Sequence, residues 1–121
     1  MARVLIVDDS RLARAMLKGM LTGLGHQVVG EAEDVKPAIE AFKVLNPDMV
    51  TLDLVMPGGS GMEVLKVIMA AKPTTAVVVI TASGQDEIKK ELMAIGARAV
   101  LAKPFTAEDL KTVTGVAASL P

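Results

Sequence analysis

The sequence predicts an α/β fold, (βα)5, in which five parallel strands alternate with five helices, and three observations predict it. Short β-branched runs recur along the chain, segments of helical period separate them, and the runs are apolar at nearly every position. Strands apolar on both faces belong to a parallel sheet covered on both sides, and each helix serves as the crossover that returns the chain to the same end of the sheet. The 121 residues, 51% of them apolar, suffice for one core and are too few for two ordinary domains. A single domain over 1–121 with no attached output domain is the expectation.

The elements follow in order. Strands are expected at Val4 to Val7, Val28 to Ala32, Met49 to Leu52, Ala76 to Ile80 and Ala99 to Ala102. After Ser10, residues Leu12, Met16, Leu17, Met20, Leu21 and Leu24 recur at three- and four-residue steps, a one-sided helix closed by Gly23 and Gly25. The second helix starts near Asp34, tolerates Pro37 only in its first turn, and stops at Asn46-Pro47. The third runs from Gly61 to Ala71, ahead of Lys72-Pro73. The fourth turns Ile88, Leu92 and Ile95 inward and stops at Gly96; the fifth opens on Thr106-Ala107-Glu108-Asp109 and turns Leu110 and Val113 inward.

Composition removes several functions. Without cysteine there is no disulfide scaffold, thiolate metal site or thiol nucleophile, so a metal would need oxygen ligands. Thirteen basic against fourteen acidic residues give a net charge of −1, which argues against general affinity for nucleic acid or an anionic membrane. With two Phe and no Trp or Tyr there is no stacking surface for single strands. The apolar runs are far shorter than the ~20 residues of a membrane span. Met1 leads within two residues into Val4-Leu5-Ile6-Val7 and then two aspartates, unlike a signal peptide, so a cytoplasmic location is expected.

In an open parallel sheet the carboxyl ends of the strands share one edge, and ligands bind there. The first strand ends in Asp8-Asp9, the third in Asp53, the fourth in Thr81 and the fifth in Lys103. Each has an ordinary reading: Asp8, Asp9 and Ser10 could cap the first helix, Asp53 could be a solvated strand end, Thr81 a loop residue, Lys103 a surface lysine. Three carboxylates, a hydroxyl and an ammonium converging on one edge fit a hard-cation and phosphoryl site better.

Four segments carry a resemblance. Val4-Leu5-Ile6-Val7-Asp8-Asp9-Ser10-Arg11, Asp53-Leu54-Val55-Met56-Pro57-Gly58-Gly59-Ser60-Gly61, Thr81-Ala82 and Lys103-Pro104-Phe105, in this order, resemble the receiver domain of two-component response regulators over essentially the whole chain. The start and end look most like the stand-alone, CheY-like receivers of chemotaxis. The resemblance implies a flavodoxin-like three-layer sandwich with strand order 2-1-3-4-5.

It also implies roles. Asp53 would be the phosphoacceptor, taking a phosphoryl group from a sensor histidine kinase. Mg2+ would be held by Asp9 and Asp53 directly, by the backbone carbonyl of Val55, and by Asp8 mainly through water. Adjacent carboxylates should raise at least one pKa. Lys103 would pair with Asp53 before transfer and contact a phosphoryl oxygen after it, aimed by a cis bond to Pro104. Thr81 would donate to another phosphoryl oxygen, with Ala82 leaving space. Val55 and Ser83 occupy the positions that set phosphate lifetime; valine cannot orient a water, so slow self-dephosphorylation is expected. Val100 stands where the family has an aromatic switch residue, so the aromatic half of the usual coupling is missing. The chain would be a monomeric signalling phosphoacceptor and not an enzyme with an external substrate. Its output would reach a protein target, the flagellar motor switch being one candidate, through the face of the fourth helix, fifth strand and fifth helix.

Other readings remain open. A receiver excised from a larger regulator would carry the same residues, as would a pseudo-receiver that needs no phosphorylation. A flavodoxin-like binding module shares the fold but wants phosphate donors after the first strand and aromatics for flavin. A haloacid-dehalogenase-type phosphatase wants Asp-x-Asp there instead. His26 reads as a surface loop residue, the methionines mostly as core filler with Met93 able to face a partner, and Lys89, Lys90 and Arg98 as solvated charge.

Overall fold

In the computed structural model, which describes residues 2–56, 58–82 and 86–119, strands and helices alternate from end to end. The strands are β1 (Arg3–Val7), β2 (Gln27–Ala32), β3 (Met49–Asp53), β4 (Ala76–Thr81) and β5 (Ala99–Ala102). The helices are α1 (Arg11–Gly23), α2 (Val35–Leu45), α3 (Gly61–Ala71), α4 (Asp86–Ile95) and α5 (Ala107–Ser119). The five strands form one parallel sheet in the order β2-β1-β3-β4-β5, the expected 2-1-3-4-5. A two-residue antiparallel ribbon, Val55–Met56 against Gly59–Ser60, lies between β3 and α3.

Strand alternation divides the core in two. Leu5, Val7, Val50, Leu52, Val77 and Val79 face α2, α3 and α4, and meet Phe42, Leu65, Ile68 and Leu92. Val4, Ile6, Met49, Val78 and Ile80 face α1 and α5, and meet Leu17, Leu21 and Leu110. Every residue of β3 and β4 is buried, whereas the edge strands β2 and β5 are only partly covered. Each fully buried aliphatic side chain contributes about 1.5–3 kcal/mol, so the central strands, which carry Asp8, Asp53 and Thr81 at their ends, are the most firmly held.

Helix ends obey local chemistry. Ser10 caps α1 by accepting from Ala13 N, Asp34 caps α2 from Val35 N, and Ser60 caps α3 from Met62 N. Thr106 and Asp109 form a reciprocal capping box at α5: each backbone N–H donates to the other's side chain, at 3.0 and 3.1 Å. Asn46 closes α2 in the left-handed conformation, φ 48°. Arg3 donates to the carbonyls of Leu45 and Asn46, each at 2.9 Å, and so ties β1 to the end of α2. His26 is not merely a solvated loop residue: its Nδ1 accepts from Ala2 N at 3.2 Å.

The apolar face expected of α1 is wider than the face it buries. Leu17 and Leu21 are in the core, but Leu12 and Met16 are 71% and 54% exposed. The sheet side of the helix is covered by strand residues, while Met16 lines an open apolar groove of about 400 Å³ running past Met20 to Pro104 and Phe105. Ile88 and Ile95 of α4 are half-buried against the core instead of fully inside it.

Among the described residues, the buried Thr51 Oγ1 on β3 has no hydrogen-bond partner. It sits between Ile6 and Val78 on the neighbouring strands. A buried hydroxyl without a partner is costly, and valine matches its shape. Thr51→Val should raise the unfolding free energy by about 1 kcal/mol, read as a higher denaturant midpoint at unchanged slope; a lower midpoint would contradict the assignment.

Candidate functional site

The carboxyl edge of the sheet brings the expected groups together. Asp53 is the last residue of β3 and Thr81 the last of β4, and both are buried; Asp8 follows β1 directly and is 1% exposed. Asp9 beside it is exposed. One carboxylate oxygen from each of Asp8, Asp9 and Asp53 can be chosen so that all lie within 4.8 Å of one another. Ser83 and Pro57 lie outside the described residues.

Asp8 is held at four atoms. Its N–H donates to Ala32 O at 3.0 Å, and its carbonyl accepts from Arg14 Nη1 at 2.7 Å. Its Oδ1 accepts from Ser10 N at 2.9 Å, and its Oδ2 faces Lys103 Nζ at 3.3 Å. Asp53 is held less closely: Val55 N donates to Oδ1 at 3.4 Å, and Lys103 Nζ is 3.9 Å from the same oxygen. Lys103 therefore pairs with Asp53 as expected, but also with Asp8, to which it lies closer. The reason is that Asp8 is the more deeply buried carboxylate and has its other oxygen already satisfied by Ser10.

Backbone geometry sets these positions. Lys103 N donates to Thr81 O at 2.8 Å, which joins the ammonium-bearing residue to the hydroxyl-bearing one. The Lys103-Pro104 peptide is cis, as the resemblance implied. Gly61 N donates to Leu54 O at 2.8 Å, and a Cβ on Gly61 would collide with the carbonyl oxygen of Asp53, so only glycine lets α3 begin this close to the acidic residue. Ala82, immediately after Thr81, is exposed at the rim. Val55 is 73% exposed beside Asp53, and Val100 packs half-buried against the core under α4.

Burial, followed by the Asp8 carboxylate, pushes the Asp53 carboxyl up to about 6, against the opposing pull of Lys103. A raised carboxyl pKa is expected from crowding; here burial is the larger cause and the crowding of Asp8 the second. Oxygens no more than 4.8 Å apart are near the ~4.2 Å limit set by two 2.1 Å bonds to one Mg2+, so a small closure of the side chains lets all three share an ion. An all-oxygen, carboxylate-rich donor set fits a hard divalent cation. Sequence reasoning missed Arg14. Its only signal was a basic residue one turn into the helix after Asp8-Asp9, with Glu31 near the end of the neighbouring strand.

Comparison with known proteins agrees with the geometry. The family model of the response regulator receiver domain matches residues 4–114. The chain is 42% identical over 103 residues to the chemotaxis protein CheY of Thermotoga maritima, covering 85% of this chain and 86% of that one. It is 37% identical over 108 residues to CheY of Listeria monocytogenes, covering 89% and 91%. Among solved structures, the response regulator domain of Thermotoga maritima CheB superposes with a TM-score of 0.85 at 32% identity, covering 98% of each chain. CheY in a CheX–CheY–BeF3–Mg2+ complex from Borrelia burgdorferi does so with 0.88 at 31%, covering 93% of this chain and 85% of that one. The chain belongs to the response regulator receiver domain family of two-component systems. Within it the likeness is to the CheY type.

The raised Asp53 value has a signed consequence. The folded state holds this proton more tightly than the unfolded chain does, so the associated stability is fully present below the usual 3.8 and is lost as pH rises through about 6. Above that pH the ionised carboxylate costs the metal-free protein about 1–2 kcal/mol once partial solvation is allowed for. Asp53→Asn should therefore raise metal-free stability at pH 7–8 and have little effect near pH 4, as followed by thermal unfolding in a chelating buffer. A variant less stable than the parent at pH 8 would refute this account.

Proposed function

We propose that the chain is a phosphoacceptor of two-component signalling, taking a phosphoryl group from a sensor-kinase phosphohistidine onto Asp53 and passing the signal to a protein partner in chemotaxis or motility control. The observation that carries this reading is the meeting of Asp8, Asp9 and Asp53 within 4.8 Å beside the Lys103 ammonium. An Asp53 carboxylate oxygen attacks phosphorus, the P–N bond breaks, and the imidazole leaves with the electron pair and picks up a proton from solvent. Asp8, Asp9, Asp53 and the Val55 carbonyl would hold Mg2+, which supplies the positive charge needed for one anion to approach another. Lys103 releases Asp8 and Asp53 to contact one phosphoryl oxygen as a point charge, and the Thr81 hydroxyl donates to a second. The small Ala82 keeps the approach open.

The chain acts once on itself instead of turning over a substrate. On this reading the chain is a cytoplasmic monomer; among the described residues no helix is long and apolar enough to cross a membrane. Output runs through the face of α4, β5 and α5. There a groove of about 230 Å³ passes Lys89, Val100 and Val113 between the exposed Met93 and Val116.

Incubation with acetyl phosphate and Mg2+ should add the mass of one phosphoryl group to the intact protein, and Asp53→Ala should abolish the gain. A gain that survives in Asp53→Ala would overturn the assignment. The Val55 side chain, exposed and apolar, can neither hydrogen-bond nor orient the attacking water. Val55→Asn should speed loss of the phosphoryl group several-fold in a radiolabel chase, and an unchanged decay rate would show that this position does not set the lifetime.

A further inference from the structure

We propose that Arg14 is a positioning residue for the acidic site, clamping the backbone of Asp8 to Glu31 of β2 and so setting the carboxylate in the geometry that Mg2+ demands. The inference rests on the metal reading given above. Asp8 lies one residue past β1, so its N–H still reaches Ala32 O but its carbonyl is outside the strand pairing. A carbonyl leaving the ladder near a buried site needs another donor. Arg14 Nη1 supplies it at 2.7 Å, while Arg14 Nε donates to Glu31 Oε1 at 3.2 Å. The Arg14 side chain is only 13% exposed, and its own N–H is held by Ser10 O at 3.0 Å in the first turn of α1.

One rigid guanidinium therefore ties three elements to a single point: the end of β1, β2 through Glu31, and the start of α1. With N, O and Oδ1 of Asp8 all bonded, the plane of its carboxylate is set and only Oδ2 remains to face Lys103 and the other acids. Glu31 balances the charge of Arg14, so the clamp adds geometry and little net charge to the acidic cluster. Partners one layer out from metal ligands commonly govern affinity in this way.

Cation selectivity separates positioning from general support, because Mg2+ requires near-ideal octahedral geometry and Ca2+ tolerates irregular ligand sets. Isothermal titration of the full chain with MgCl2 and with CaCl2 provides the measurement. Arg14→Ala should weaken Mg2+ binding about 10-fold or more and Ca2+ binding distinctly less. Arg14→Lys, whose single ammonium cannot span both acceptors, should show a smaller loss with the same preference, and it carries the comparison if Arg14→Ala does not fold. Glu31→Gln, which keeps an acceptor for Nε, should bind Mg2+ nearly as the parent does. Equal loss of both cations, or an Arg14 variant that binds Mg2+ as tightly as the parent, would overturn the clamp. If the parent chain bound no Mg2+, the metal reading itself would fall and the clamp with it.

Discussion

Three carboxylates within 4.8 Å of one another repel, and the sheet holds them together against that repulsion. Asp53 ends a strand with no exposed residue, and Asp8 follows a strand whose last four residues are buried. Neither can retreat from the other without disturbing Leu52 or Val7, which lie in the core beneath the α2–α4 helices. Burial first, and the neighbouring Asp8 carboxylate second, show their cost in the raised pKa of Asp53. A frame stabilised by two apolar clusters thus maintains an electrostatically unfavourable edge, and a cation that relieved the repulsion would bind more tightly for it.

Lys103 is the internal counterweight, and it acts through backbone as much as through charge. Its amide is bonded to the carbonyl of Thr81, and Thr81 pairs in register with Ala102. The ammonium, the hydroxyl and the last rung between β4 and β5 therefore form one unit. A change in charge at Asp53 that draws Lys103 away from Asp8 also pulls on β5, the partly exposed edge strand.

Much of this was legible in the sequence because parallel topology turns one-dimensional order into a spatial edge. Once Val4 to Val7, Met49 to Leu52 and Ala76 to Ile80 read as strands covered on both faces, the residues that follow them had to share one end of the sheet. What was not legible depends on features without a side-chain pattern. The contact of Arg14 with Asp8 answers a carbonyl that leaves the ladder, and no periodicity announces such a group. The exposure of Leu12 and Met16 depends on how far α1 overhangs the sheet, whereas spacing alone gives only the direction of the apolar face. The preference of Lys103 for Asp8 follows from the hydrogen bond between Ser10 N and Asp8 Oδ1, itself a product of the turn into α1.

The valine at position 100 decides what kind of switch the proposed phosphorylation can drive. Val100 pairs with Val79 across β4 and β5 and packs under α4, so it lies directly beneath the surface where Met93 and Val116 are exposed. A β-branched side chain has few rotamers and no polar tip, and it cannot alternate between a buried and a solvent-facing pose as an amphipathic ring can. A ligand shifts a two-state equilibrium only through contacts that differ between the states. With no ring to swing at position 100, the differing contacts must come from Thr81, from the Lys103 backbone tied to it, and from the way α4 sits over β5. On that reading the proposed output face would change by the relative placement of its elements instead of by exchange of one exposed side chain. A partner reading the proposed output face would then have to recognise the shape of the groove between Met93 and Val116.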